Sequence, residues 1–295
     1  MAQQRAMFFG LAAVLCWSTV ATAFKLSLQH LTPTQLILVA SLTSWLFLLG
    51  VLVVQGKLRA LFRQSSRQYW NALLFGLLNP ALYYFLLFTA YARLPAQEAQ
   101  AINYSWAIVM SFLAVPILGQ KLTKADLFAA LICYFGVVII ATRGDVLGMR
   151  FEDTTGLICA LLSTVVWALY WILNRRQEQD PILGLCLNFS FALPVLCIYA
   201  LWSGELLALF DSVAWQGWAG GIYVGMFETG LAFLFWLQAM KLATNTARIA
   251  NLIFISPFVS LVLIALILKE PILMSTLIGL GLILAGLVVQ QRYSQ

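Results

Sequence analysis

The sequence predicts an all-α integral membrane protein with ten transmembrane helices in two inverted five-helix repeats. Three observations carry that expectation. The first is composition: of 295 residues, 62% are hydrophobic and 9% are charged, where a soluble domain carries about a quarter charged residues. A soluble globule still exposes its outside to water, so it cannot hide that much apolar surface. The second is a succession of apolar runs of roughly 20 residues, the length that crosses a bilayer. The third is a match between the two halves of the chain at an offset near 150 residues.

The runs lie at about 5–28, 33–54, 68–92, 96–118, 123–142, 152–173, 181–202, 215–241, 244–268 and 272–290. The first follows MAQQR directly and continues to Leu28. It exceeds the apolar core of a signal peptide and reads as a retained helix. Pro33, Pro95, Gly144, Pro181 and Pro271 punctuate the joints, as residues that break helices do. The loops are short and no soluble domain interrupts them.

Orientation follows from Lys and Arg in those loops. With the N-terminus inside, the inner side holds Arg5, Lys57, Arg59, Arg63, Arg67, Lys121, Lys124, Arg175, Arg176, Lys241, Arg248 and Arg292. The outer side holds Arg93, Arg143, Arg150 and Lys269, together with Asp145, Glu152, Asp153, Glu205 and Asp211. Both termini are therefore expected in the cytoplasm, with the chain in the cytoplasmic (inner) membrane. The net charge of +6 belongs to this asymmetry and not to a nucleic-acid surface. Tyr69, Trp70, Trp202, Trp215 and Trp218 fall near helix ends, where an interfacial aromatic belt is expected.

The halves match in order. Trp17 meets Trp167, Ala129 and Gly136 meet Gly279 and Gly286, and Gln120 meets Glu270. Around the fourth and ninth helices the offset slips to 148, where Ala99 and Asn103 meet Ala247 and Asn251. Two units follow, 5–145 and 152–292. Each has five helices, an odd number, so the second enters the membrane from the opposite side. In such inverted repeats the substrate site commonly lies near the midplane.

Polar groups inside the runs mark candidate site positions. Gly217, Gly221 and Gly225 form a stripe at helical spacing on which another helix can pack closely. Glu228 and Thr229 follow that stripe, which points Glu228 into the bundle. An intramembrane acid is a functional candidate by default, here for a substrate ammonium or a coupling proton; the plain alternative is a protonated carboxyl bonded between helices. Pro80 bends the third helix and frees carbonyls beside Asn79 and Tyr83. Trp17 and Trp167 lie too deep for the belt. Asn103, Trp106 and Met110 share a face of the fourth helix. Trp17, Asn79, Tyr83, Asn103, Trp106, Trp167, Glu228 and Asn251 are thus expected to line one central, substrate-binding cavity. Lys25 and Glu98 are candidates for a pair that closes the outer mouth.

The stretches LAAVLCWSTVATAFK, KLTKADLFAALICYFGVVI and LKEPILMSTLIGLGLILAG resemble the EamA-type units of the drug/metabolite transporter superfamily. INYSWAIVMSFL is similar to the start of the fourth helix in the aromatic amino-acid exporter branch, with Ala107 where that branch usually has Pro and Gln120 where the superfamily often has Glu. The resemblance implies that the first, third, fourth, sixth, eighth and ninth helices line a central cavity and that the fifth and tenth pack together.

Other chemistries lack their motifs. The chain has no GxxxxGK[ST] phosphate loop, no TVGYG filter, no GxSxG and no HExxH. His30 is its one histidine, and its five cysteines lie in apolar runs without a CxxC, so no metal site and no cofactor is expected. The reading is a secondary transporter exporting small amphipathic metabolites, amino acids foremost, across the cytoplasmic membrane by alternating access. An exporter of hydrophobic or cationic compounds is the alternative; a structural or receptor subunit and a polytopic membrane enzyme come after it.

Overall fold

The computed structural model describes residues 2–148, 151, 153–174, 177, 179–244, 249 and 251–293, without the side chains of Asn251, Gln291 and Tyr293. Among the described residues the chain is helical, with no strand. Eight helices are long and apolar enough to cross a membrane: α1 (Ala2–Ser27), α2 (Pro33–Val54), α3 (Ser66–Arg93), α4 (Ala96–Leu118), α5 (Lys124–Ala141), α6 (Thr154–Asn174), α7 (Pro181–Trp202) and α8 (Trp215–Leu242). Two shorter apolar helices complete the ten, α9 (Leu252–Leu268) and α10 (Met274–Tyr293). Arg150, Glu152, Arg175, Arg176, Ala247 and Arg248, named above, lie outside the described residues.

Helix starts follow local chemistry. Thr32 with Gln35, Ser65 with Gln68, and Thr123 with Asp126 form reciprocal capping boxes, each satisfying otherwise orphaned amides. Pro33 and Pro181 occupy first-turn positions, where the missing N–H costs nothing. Asp180 caps α7 through the N–H groups of Ile182 and Leu183 and pairs with Lys57. Burial alone would raise this carboxyl's pKa, but the bonds from Lys57 and the two amides outweigh it and hold it below the usual aspartate range.

Two compact units form, and each draws on both halves of the sequence. Met1–Ala81 with Glu178–Leu268 make the first, which holds α1, α2, the start of α3, α7, α8 and α9. Its core includes Leu48 and Leu52 of α2, Ala72 of α3, and Cys186 and Phe189 of α7. Gly76 of α3 meets the Asn188 carbonyl of α7 so closely that a Cβ would strike it. The glycine stripe of α8 receives α2: a Cβ at Gly221 would strike Val39, and one at Gly225 would strike the Ala40 carbonyl and Thr43.

Leu82–Gln177 with Lys269–Gln295 make the second unit, which holds the rest of α3, α4, α5, α6 and α10. Glu98 of α4 is 3% exposed and accepts from Arg143 Nε at 2.7 Å. The Glu270 carboxylate takes the Ala96 N–H at 3.0 and 3.2 Å, while Gln97 bonds Pro271 O and Leu273 N–H at 2.8 and 3.0 Å. The first turn of α4 is thereby fastened to the loop before α10. Arg93 pairs with Asp153 at 3.1 Å. The Gly156 N–H first, and then Arg93, hold the Asp153 carboxyl below its ordinary range.

Helices α5 and α10 pack backbone to backbone. A Cβ at Gly136 would strike the Gly279 carbonyl, and one at Gly286 would strike the Ala129 carbonyl and Cys133. Gly281, on the same helix, has nothing within 4 Å of such a Cβ. Overpacking a close contact costs roughly 1–3 kcal/mol. Gly136→Leu and Gly279→Leu are therefore expected to lower the thermal midpoint of the detergent-solubilised protein by several degrees, and Gly281→Ala to leave it unchanged; equal midpoints for all three would show that the contact is not close.

Candidate functional site

In the second unit the aromatic residues singled out in the sequence come together. Trp167 of α6 stacks on Tyr83 of α3, with ring centroids 4.4 Å apart at 24°. Trp106 of α4 meets Trp167 edge-on at 6.5 Å and 87°. One turn along α6, Tyr170 and Trp171 extend the group, at 5.8 Å from Trp167 each. Asn103 Nδ2 donates to Ser163 Oγ at 3.1 Å, and the Ser163 hydroxyl donates in turn to the Ala160 carbonyl. The Asn103 amide is thus fixed on α6 beside the ring cluster. Tyr83 is buried, while Asn103, Trp106 and Trp167 are half-buried. Buried here without a partner among the described residues are Trp171 Nε1, Gln100 Oε1 and Ser105 Oγ.

Two of these helices are irregular where the polar groups sit. In α3 the backbone of Asn79 is extended (φ −145°, ψ 114°) just before Pro80. Its side chain, 3% exposed, keeps an Oδ1 that meets no donor among the described residues. Asn79 belongs to the first unit and Tyr83 to the second, so the break between them falls where α3 leaves one unit for the other. In α4 the helical run stops at Asn103 and resumes at Trp106.

The first unit places Glu228 and Trp17 in contact. Residues Gly225–Gly230 form a wide, π-type turn inside α8, a local irregularity frequent at functional positions. Trp17 Nε1 donates to the Glu228 carbonyl at 3.2 Å, and the Trp17 ring lies 5.3 Å from that of Trp236. Nearby, Tyr223 donates to Thr19 at 2.7 Å and stacks on Phe227 at 4.5 Å. Thr229, not Glu228, continues the glycine stripe onto α2, where its hydroxyl lies 2.5 Å from Ser44 Oγ. The backbone carbonyl of Glu228 faces α1, where Trp17 meets it.

Of the remaining candidates, Glu98 bonds Arg143, and Lys25 lies in the other unit at the end of α1. The Asn251 side chain lies outside the described residues. Sequence reading passed over Ser44, Ser163 and Tyr170. The first two are serines in apolar runs, whose significance rests on a partner more than 50 residues away.

A chain with eight helices long and apolar enough to cross a bilayer is a multi-pass membrane protein. The chain belongs to the EamA-like transporter family, whose profile matches it twice, over residues 4–142 and 154–290. It is 28% identical over 250 residues to the aromatic amino acid exporter YddG of Ancylobacter novellus, covering 82% of this chain and 81% of that one. It is 24% identical over 239 residues to a probable terminal-alkyne amino-acid exporter of Streptantibioticus cattleyicolor, with 78% and 75% covered. A solved crystal structure shares its fold with a TM-score of 0.63 at 21% identity, over 96% of this chain and 95% of the other. Family and relatives are transporters, which points away from an enzyme.

Stacked aromatic pairs contribute about 0.5–1.5 kcal/mol beyond burial. A double-mutant cycle of Tyr83→Leu and Trp167→Leu, read from reversible unfolding in detergent, is expected to return a coupling in that range. A coupling within about 0.3 kcal/mol of zero, the margin for independent sites, would show that the rings do not support each other.

Proposed function

We propose that the protein exports small amphipathic metabolites, amino acids before others, across the cytoplasmic membrane by alternating access. The observation that carries this reading is the cluster of Tyr83, Trp106 and Trp167 beside a fixed Asn103 amide. Ring faces hold an apolar side chain and attract an ammonium; an amide and hydroxyls bond a carboxylate. Trp17, Asn79 and Glu228 are the binding groups of the other unit, with Asn251 assigned by its match to Asn103. The Asn79 Oδ1 is a buried acceptor that meets no donor among the described residues, which suits it to a substrate N–H. Two relatives named as amino-acid exporters support the substrate class. Export of a hydrophobic cation is the second reading, and the Glu228 carboxyl favours it.

Glu228 binds the substrate ammonium or a coupling proton. An ionised carboxyl at mid-helix costs about 2.5–3.5 kcal/mol even on the lenient insertion scale, so its charge should appear only with a proton leaving or an amine arriving. Purified protein in liposomes, assayed over a panel of amino acids and organic cations with and without a pH gradient, decides between the two readings. Glu228→Gln is expected to reduce the rate at least tenfold or to flatten its pH dependence. Wild-type rate and pH profile in that variant would make the residue architectural.

The two sequence halves are inverted repeats, 5–145 and 152–292. The α5–α10 contacts support this, because exchanging each residue for its repeat partner turns the Gly136–Gly279 contact into Gly286–Ala129. Gly119 and Lys269 support it too: both occupy the left-handed region, at φ 69° and 57°, just after α4 and α9. Both termini face the cytoplasm, which sets Lys25 and Glu98 at the outward ends of their helices. Asp145, exposed after α5, is then extracytoplasmic. Asp145→Cys in a chain whose own cysteines are replaced should react with an impermeant maleimide in intact cells. Reaction only after permeabilisation would reverse the orientation.

A further inference from the structure

We propose that Ser44 is the positioning residue for Glu228, an assignment that rests on the role given to Glu228 above. Ser44 lies mid-way along α2 and is 1% exposed. Its Oγ is 2.8 Å from the carbonyl of Ala40, 2.9 Å from that of Gly225 and 2.5 Å from Thr229 Oγ1. A serine back-bonding its own helix needs only the first of these. The other two reach across to α8 and meet the wide turn on both sides of Glu228, three residues before it and one after. Ser44 has a single proton. When it donates to Gly225, Thr229 must be the donor to Ser44, so the two hydroxyls form a directed chain ending on a backbone carbonyl.

That chain answers a need created by the turn. Widening a helical turn by one residue displaces carbonyls from their regular donors, and at this depth no bulk water replaces them. Gly225 O is taken by Ser44 from the α2 side, and Glu228 O by Trp17 from the α1 side. Gly225 lets α2 come close enough, since a Cβ there would strike the Ala40 carbonyl. With Thr229 pinned to α2, Glu228, one residue before it, is held roughly 100° around α8 from that contact. Without the pin, the segment can rewind into a regular helix, which rotates the residues after it by about 100°. The titratable groups that α1 and the rest of α8 bring near are Cys16 and Tyr223, while Arg5, Lys25 and Lys241 sit at the ends of those helices. Helix α2 carries no titratable side chain.

The test follows the carboxyl bands of Glu228 by infrared spectroscopy of the reconstituted protein across pH, the bands being identified by their loss in Glu228→Gln. Ser44→Ala is expected to move the titration midpoint by about half a pH unit or more, or to shift the band frequency, because a changed hydrogen-bond environment alters a carboxyl's proton affinity. Thr229→Val should move it in the same direction. Ser44→Thr, which keeps the hydroxyl, should restore the wild-type values, a rescue that general loosening of the bundle does not give. Bands unchanged in both Ser44→Ala and Thr229→Val would overturn the assignment, and so would a failure of Ser44→Thr to rescue. The two readings separate cleanly. If Glu228→Gln transports with wild-type pH dependence while Ser44→Ala still moves the bands, the transport role of Glu228 fails and the positioning role stands. Bands unmoved by Ser44→Ala, with transport abolished in Glu228→Gln, give the reverse.

Discussion

A backbone carbonyl inside a bilayer has no water to turn to, and the irregular parts of this protein are arranged around that constraint. A regular helix meets it internally. Wherever a helix departs from regularity, a donor must arrive from another element. The wide turn in α8 shows this most fully: Ser44 comes from α2 and Trp17 from α1, and each takes one carbonyl of the turn. The irregularity is therefore a property of three helices together. Asn79 and Glu228 both sit where a helix departs from regularity.

Each unit meets its close contacts by removing side chains. In the first, glycines of α8 and α3 let backbones of α2 and α7 approach; in the second, glycines do so for α5 and α10. Lipid gives helices no hydrophobic reason to associate, so close packing and interhelical bonds carry more of the load. Bound carboxylates appear at the ends of the spans instead, where water screens them. Asp180 with Lys57 and Asp153 with Arg93 are of this kind, and exposed pairs contribute about 0–1 kcal/mol each. Glu98 with Arg143 is more deeply placed and fastens α4 next to the loop that Glu270 and Gln97 hold.

Helix positions were legible because bilayer thickness imposes a run length and because Pro and cap residues mark the starts. The spans that begin at Pro33 and Pro181 start where those residues placed them. The aromatic cluster was partly legible: Trp167 stood out as an indole too deep for an interface and Trp106 as a residue sharing a face with Asn103, and their meeting is a matter of tertiary packing. Glu228 was conspicuous as a charge in an apolar run. Its surroundings were not, since a helical wheel assumes regular turns and the turn that aims Glu228 is irregular. Ser44 looked like any serine in a membrane helix. Nothing local distinguishes one that satisfies its own helix from one that also reaches another, 181 residues away. The partner of Glu98 was equally hidden, because several basic residues lie at comparable sequence positions and only the fold selects Arg143.

The contact between α5 and α10 carries a consequence of another kind. Gly136 with Gly279 and Ala129 with Gly286 form a surface that is complementary to itself, the signature of a two-fold interface between identical partners. A five-helix chain bearing this patch once can pair with a second copy of itself through the same atoms. Joining two copies in one polypeptide removes the demand that they stay alike. Each side of the pseudo-axis is then free to diverge wherever the interface does not forbid it. At the offset of 150 residues Leu78 stands opposite Glu228, and Gln120 opposite Glu270. A strictly symmetric dimer would carry every acidic group twice. A fused chain can keep one.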